Sequence, residues 1–447
     1  MKAAAEALPQ TNARPGVVAL LAIAAVAIKG LILFVGIPAY ESFFHTEYQA
    51  DLFPDQYDLL AQNLIDGHGY RFLPETASTT IRTPGFVLVL AGLFFLFGKS
   101  LAAIKAFHLV LSSAAAYFTY RLGTGITGSS KAGAAAALLY FFYPGTILAD
   151  TRGGIETLFT FSIILFLFLL YRAIESKRAI EFAAAGACFG AAMLIKSSAI
   201  LFPAALLAYL VAAEPRMPAV KTALANFAIF AVAAGLVMSP WIARNAMLTG
   251  RFIPTMSVGG LAAFQGAYVA KNQGRGKEHA GLVFEAAAEQ NEIARSMGLR
   301  FTDKGTPFFP QFYTIQDELT YYGHLGDLVL QDYRQHPSSL LKAVSYNAAA
   351  FWIQGRTAKA TLYNALLTIP FLGLSIGGMV LALRQHCKIA PLVLFIGAFY
   401  VLHLPVIAMA RYYVPLVPLL SILASISLLW LGGILRGGAG LHRRRQA

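Results

Sequence analysis

The sequence predicts an all-α polytopic membrane protein with about ten transmembrane helices. Three observations predict it. Of 447 residues, 57% are hydrophobic and only 13% charged, against about one-quarter charged in an average soluble domain. Apolar runs recur at the length of about 20 residues that crosses hydrocarbon. The basic residues collect in alternate short loops, the pattern of cytoplasmic loops. Lys+Arg 35 against Asp+Glu 22 gives a net charge of +13, with a pI near 9.6 and a mean hydropathy of +0.61. That excess is topological, and no nucleic-acid partner is inferred from it.

The first run spans residues 16–36, with Lys2 and Arg14 before it. It is too long for a signal sequence and no small-residue cleavage pattern follows, so it reads as an uncleaved anchor. The run at 84–98 is too short to cross comfortably. Arg121 and Lys131 flank one short polar loop; Arg172, Lys177 and Arg178 flank another. Two runs, 132–149 and 155–171, return the chain to the same side, and 101–120 then runs inward. With a cytoplasmic N-terminus, 84–98 is an interfacial helix on the outer face; the alternative is a short true span with the opposite register. Runs at 180–195, 199–213 and 222–239 follow, then 362–383, 390–408 and 414–434. The last leads to Arg436 and the Arg443–Arg445 tail. Both ends are then cytoplasmic.

Three parts result. Residues 1–240 form an N-terminal transmembrane module with a first outer loop at 38–100. Residues 241–360 form an outer-face region with little soluble-fold signal and a second interfacial helix at 338–352. Residues 361–447 are the C-terminal transmembrane helices and basic tail. No internal repeat of the transporter kind is evident.

On this map three polar stretches meet outside. Residues 38–83 hold Glu41, Glu47, Asp51, Asp55, Asp58, Asp66 and Glu75 against Arg71 and Arg82. The second is the turn from Asp150 to Glu156. The third is the long loop opening Pro240-Trp-Ile-Ala-Arg244-Asn245. Glu156 begins a span, Lys196 sits between two apolar runs, and Arg411 precedes the last span. Each alone fits an interfacial side chain reaching for water. Placed together on one face, they suggest a site, because ionisable groups at the membrane are costly. The chain lacks His-Glu-x-x-His, the nucleophile elbow, the Walker loop and the dinucleotide fingerprint. Two cysteines and scattered histidines indicate no zinc cage. Carboxylates beside cations suit glycosyl transfer from a lipid-phosphate sugar. A carboxylate takes the proton of an attacking hydroxyl, and Arg or Lys stabilises the departing phosphate.

Several motifs then carry a resemblance. They are Asp55-Gln-Tyr57-Asp58-Leu-Leu-Ala61-Gln-Asn63-Leu-Ile-Asp-Gly67-His-Gly69-Tyr70, Arg82-Thr-Pro84-Gly85-Phe86, Tyr143-Pro144 with the turn to Glu156, and Leu194-Ile-Lys196. Pro240 to Asn245, Gly250 to Pro254, Gly259-Gly260 and Arg411-Tyr412-Tyr-Val-Pro415-Leu-Val-Pro418 complete them. In this order they resemble the membrane-embedded GT-C glycosyltransferases that use polyprenyl-phosphate sugars. The resembling group contains the protein O-mannosyltransferases and the lipid A aminoarabinose transferase.

The resemblance implies a GT-C fold whose first outer loop carries the catalytic carboxylate and whose interfacial helices flank it. By position, Asp55 corresponds to the general base and Glu156 to a second acidic site. Lys196 and Arg244 correspond to basic positions near the donor phosphate, and Arg82 adds a cation there. Tyr57, Asp58, Arg411 and Tyr412 line the cavity. Two departures stand out. The aminoarabinose transferase has an acidic residue where this chain has Arg82, so its metal set is incomplete here; no cofactor is assigned and a divalent metal stays open. The adjacent Asp-Glu pair of the mannosyltransferases is Asp55-Gln56 here, which leaves Asp58 and Asp51 as alternative bases.

The expected activity is inverting transfer of a sugar from a polyprenyl-phosphate donor to a glycan, lipid or protein hydroxyl. The expected place is the non-cytoplasmic face of the cytoplasmic (inner) membrane, with membrane lipids as neighbours. Residues 259–309 read as a mobile lid or as a structureless connector. The rival readings are a lipid or glycan transporter or flippase, and a polysaccharide polymerase or ligase with a lipid-diphosphate donor.

Overall fold

The computed structural model describes residues 15–44, 55–213, 217–273, 276–302, 304 and 309–444. Lys2, Arg14, Glu47, Asp51 and Arg445 fall outside them. The described chain is helical but for one two-residue hairpin. The first run folds as α1 (Pro15–Leu31), a π-helical turn (Ile32–Gly36) and α2 (Ile37–Phe44). The next segment contributes α3 (Tyr57–Ile65) and α4 (Pro84–Phe97). Then come α5 (Leu101–Thr127), α6 (Ser130–Phe141), α7 (Pro144–Thr151), α8 (Glu156–Ser176) and α9 (Ala179–Ile195). A 3-10 turn (Ser197–Ala199) leads to α10 (Phe202–Ala212) and α11 (Met217–Thr249).

Among the described residues, six helices are long and apolar enough to cross a membrane, or seven if α6 and α7, bent by 50°, act as one span. The expectation of ten requires the shorter apolar helices α9, Ser197–Ala212 and Ala390–Leu402 to cross as well. The run at 84–98 is a short helix as expected. Pro84 sits at its first turn, where its missing N–H costs nothing.

Packing between the apolar helices uses small residues, since hydrocarbon supplies no hydrophobic drive. Gly186 and Gly190 of α9 lie four apart on one face. A Cβ on Gly190 would come within 2.6 Å of the Ala234 carbonyl, and one on Gly186 would strike that of Phe230. Thus α9 presses backbone to backbone on α11. A buried ion pair fixes the first span. Lys29 meets Asp150 of α7 at 2.7 Å, both side chains almost wholly enclosed, and Thr157 donates to Asp150 at 2.7 Å. The sequence reading passed over Lys29. Its cost inside a span should have demanded a partner.

The structure corrects the expectation that helix ends at Ser239. Pro240 lies inside α11, which runs on to Thr249. Proline leaves the carbonyl four residues back without an amide donor. Here the Ser239 hydroxyl donates to that neighbourhood's free acceptor, the Leu236 oxygen, at 2.8 Å.

Residues 259–309 are also not a structureless connector. They form α12 (Gly259–Asn272) and α13 (His279–Ser296), and begin a hairpin of β1 (Phe301–Thr302) and β2 (Gln311–Phe312). Then α14 (Ile315–Gln335) and α15 (Pro337–Ile353) follow, the latter matching the expected helix at 338–352. This group grips the segment between α3 and α4. Ala77 N–H donates to the Phe312 carbonyl at 2.9 Å, and Ser257 N–H to that of Thr80 at 3.0 Å. Thr80 donates through its amide and hydroxyl to Glu318 of α14 at 2.9 and 3.0 Å. The chain closes with α16 (Ala358–Arg384), α17 (Ala390–Leu402), a 3-10 segment (Ala410–Leu416) and α18 (Val417–Arg444).

Candidate active site

Asp55 stands just before α3, and Gln56 between them takes a left-handed backbone, φ 58°. Such a conformation is uncommon for a side-chain-bearing residue. It turns the chain between Asp55 and the start of α3. Its partner lies 356 residues away. Arg411 donates to both carboxylate oxygens, at 3.1 and 2.8 Å, the bidentate fork of strong pairs. Arg82 places a guanidinium nitrogen 3.9 Å from Asp55 Oδ1 and spreads over the rings of Tyr57 and Phe309. Lys196 Nζ lies 4.7 Å from the centre of the Tyr412 ring, within electrostatic reach of Glu156 and Asp55. The structure therefore gathers Asp55, Tyr57, Arg82, Glu156, Lys196, Arg411 and Tyr412.

The two central motifs are sewn together. Thr83 donates to the Ile195 carbonyl at 2.6 Å, and Tyr70 donates to the Arg82 and Thr83 carbonyls at 3.1 and 3.0 Å. Gly85 lets α4 approach the end of α9: a Cβ there would lie 2.8 Å from the Leu194 carbonyl. This seam sets Arg82 beside Lys196. Gly85→Ala is therefore expected to lower stability by about 1–3 kcal/mol through forced overpacking. Thermal unfolding of the purified protein checks it. Asn63 holds the motif's other end, donating to the Arg71 and Phe72 carbonyls at 3.0 and 2.8 Å. Much of the first motif is thus scaffold.

Two expected site residues are held by other partners. Asp58 pairs with Lys99 at 2.6 Å. Arg244 donates to the Thr79 carbonyl at 2.9 Å and stacks on Trp241 and Tyr70, 4.7 and 5.3 Å from their ring centres. Arg244→Gln is expected to lower the unfolding temperature, losing roughly 1–3 kcal/mol of stacking and hydrogen bonding. The donor KM should stay unchanged. A steady-state titration of donor checks that.

Sequence reasoning missed Arg152, Gln354 and Arg356. With Glu156 and Arg411 they line a cavity of about 380 Å³. Arg152 was visible in the turn before Glu156. Arg356 lay in a stretch without a readable pattern.

Burial alone would raise the Asp55 carboxyl. Arg411, Arg82, the Arg411 hydrogen bonds and Lys196 together outweigh it, and bring it from 3.8 down to about 2. Asp55 is thus ionised at any physiological pH. In this state it is a weak base, because Arg411 holds its lone pairs. The same observation bears on a metal. Guanidinium groups face the carboxylate oxygens that a cation would need, and no cluster of three His, Cys, Asp or Glu side chains occurs among the described residues. These residues do not fit a divalent ion, and no step is derived through one.

Comparison with known proteins gives three findings. Residues 81–243 match the family model described as dolichyl-phosphate-mannose-protein mannosyltransferase. That stretch includes Arg82, Glu156 and Lys196. No curated protein matches. The chain is similar to the solved structure of ArnT from Cupriavidus metallidurans bound to undecaprenyl phosphate. The likeness has 13% identity, covers 92% of this chain and 78% of that one, and has a TM-score of 0.43. The family match, which covers residues 81–243, agrees with the resemblance read from the motifs.

Proposed function

We propose that the protein moves a sugar from a polyprenyl-phosphate carrier to an acceptor hydroxyl, with inversion, on the non-cytoplasmic face of the cytoplasmic membrane. One observation carries this reading. The Asp55 carboxylate sits among Arg411, Arg82 and Lys196, beside a cavity whose wall includes Glu156. The matched family's description, which names a dolichyl-phosphate sugar, supports the donor class.

Asp55 accepts the acceptor's hydroxyl proton. The freed oxygen attacks the anomeric carbon, and the bond from that carbon to the phosphate oxygen breaks. The electron pair leaves on the lipid phosphate, where Arg82, Lys196 and Arg411 stabilise the charge. A single displacement inverts the anomeric centre. Glu156, facing Lys196, orients the sugar through its hydroxyls. The acceptor is a glycan, lipid or protein hydroxyl.

The face is tested by introducing cysteines at exposed Asp66 and exposed Lys177 in a chain freed of Cys188 and Cys387. An impermeant maleimide applied outside should label position 66 and spare position 177. The reverse pattern contradicts the proposed face. Mass spectrometry of envelope glycans, lipids and proteins, with and without the gene, tests the transfer. Loss of one sugar from one acceptor is expected, and unchanged profiles count against it.

A further inference from the structure

The turn that delivers Glu156 to the cavity wall has a loose backbone. Between α7 and α8 it reads Arg152-Gly153-Gly154-Ile155, and adjacent glycines leave the chain more freedom than any other pair. No side chain caps the start of α8. Yet Glu156 is only 6% exposed and lines the cavity. The restraint on this turn therefore comes from outside it.

A side-chain bridge closes the turn. Asp150, near the end of α7, accepts the Thr157 hydroxyl on Oδ1 at 2.7 Å, a contact that spans residues 151–156. Its other oxygen meets Lys29 of the first span at 2.7 Å. Lys29 also lies over the Phe141 ring of α6, 4.3 Å from its centre. Within α8, the Thr160 hydroxyl donates to the Glu156 carbonyl at 2.7 Å. The carboxylate of Glu156 folds back over Gly154: a Cβ there would come within 2.6 Å of Glu156 Oε2.

Anchoring the first span does not require an ion pair. Burying two charges costs about what their attraction returns, and well-packed apolar residues often serve as well or better. Among the described side chains of α1 and the π-helical turn, only Lys29 and Leu33 are buried. An apolar side chain at position 29 would fill the same place. It would not hold a carboxylate at position 150, and that carboxylate is the acceptor for Thr157.

We infer that Lys29 and Asp150 are positioning residues for Glu156: the ion pair holds the acceptor for Thr157, and that bond sets the turn so that the glutamate carboxylate lies over Gly154 at the cavity wall. The first span thus serves the site, although none of its described residues lines the cavity. The inference rests on the proposed glycosyl transfer, in which Glu156 orients the sugar, and adds what sets that glutamate.

The test separates stability from transfer in the full chain, with a polyprenyl-phosphate sugar as donor. Lys29→Met strands the Asp150 carboxylate and should lower the unfolding temperature. Adding Asp150→Leu removes both charges and should bring that temperature back near the wild-type value. Transfer should not recover. In the double variant kcat/KM for the donor should stay about tenfold to a hundredfold down, since a displacement of about 1 Å can cost a hundredfold. A double variant both stable and fully active would make the pair an anchor only and overturn the inference. Binding of a C55 polyprenyl monophosphate, a lipid probe without sugar, should be unchanged. Loss of that binding would mean general damage to the site and would also overturn it.

Gly154→Ala and Thr157→Val approach the same carboxylate from two sides. Gly154 does not take a left-handed backbone, so alanine fits there, and the clash falls on the movable end of the Glu156 side chain. The unfolding temperature should hold while kcat/KM falls about tenfold or more. Thr157→Val should lower kcat/KM by a similar factor, and Thr157→Ser, which keeps the hydroxyl, should recover most of it. In a Glu156→Ala background neither Gly154→Ala nor Thr157→Val should cost anything further. The same loss in both backgrounds would show that these residues act without Glu156 and overturn the inference. A Glu156→Ala variant with wild-type transfer would remove the glutamate and this inference, and leave the transfer reading standing. A wild type that releases no lipid phosphate from any sugar donor would sink both together.

Discussion

Asp55→Asn is expected to remove sugar transfer while leaving the fold and donor binding in place. The amide keeps the size of the carboxylate but cannot take the acceptor's proton. A positioned general base contributes about 10²–10⁴-fold, so the rate should fall within that range. Stability should change little, by about 1 kcal/mol, because the Asp55–Arg411 pair is partly exposed and solvent screens it. Release of lipid phosphate at saturating donor measures the rate, and binding of the lipid probe controls for donor affinity. A variant that keeps wild-type turnover would remove Asp55 as the base. Asp58 would not then be the natural successor, because Lys99 already holds it. Glu156, on the cavity wall, would be.

Arg411→Gln should produce the second large effect, in two readouts. Transfer should fall by about 10²–10³-fold, the cost of deleting one donor aimed at developing charge. The acid limb of kcat/KM should also move upward. Burial pushes the Asp55 carboxyl up, and Arg411 is first among the groups that pull it down to about 2. Without Arg411, burial is opposed only by Arg82 and Lys196. The sign for stability follows from the same shift. A carboxyl whose folded value is depressed from 3.8 to about 2 contributes stability that is fully present above about pH 4. That contribution is lost as pH falls toward 2. The variant should therefore be less stable than the wild type at neutral pH, and the gap should close in acid. A pH series of unfolding temperatures beside the pH–rate profile checks both. An unmoved acid limb would show that Arg411 does not govern Asp55.

The helical membrane character was legible in composition and in apolar run length. The short helix at Pro84 was legible because the basic loops left no room for another crossing. Asp55, Arg82, Glu156 and Lys196 were singled out by type and place, and the structure brings them near one another. What the sequence hid was partnership over distance. Arg411 read as a cation before the last span, and nothing in its spacing tied it to a carboxylate 356 residues earlier. Arg244 stood in a motif that suggested phosphate, and the motif did not show its stacking on Trp241 or its bond to Thr79. Pro240 read as a stop because proline usually is one, and the rescuing hydroxyl of Ser239 is a local detail that patterns do not show. The helices of 259–335 were hard to see because their burial comes from each other and from the segment between α3 and α4. Lys29 was hidden by the apolar residues around it.

Proteoliposomes charged with a radiolabelled sugar on polyprenyl monophosphate, supplied with acceptor, give the most direct measurement. Glycosyl transfer at Asp55 predicts one free polyprenyl monophosphate for each sugar transferred, and none with Asp55→Asn. Intact labelled lipid crossing the bilayer without phosphate release, or turnover confined to a diphosphate-linked sugar, would contradict it.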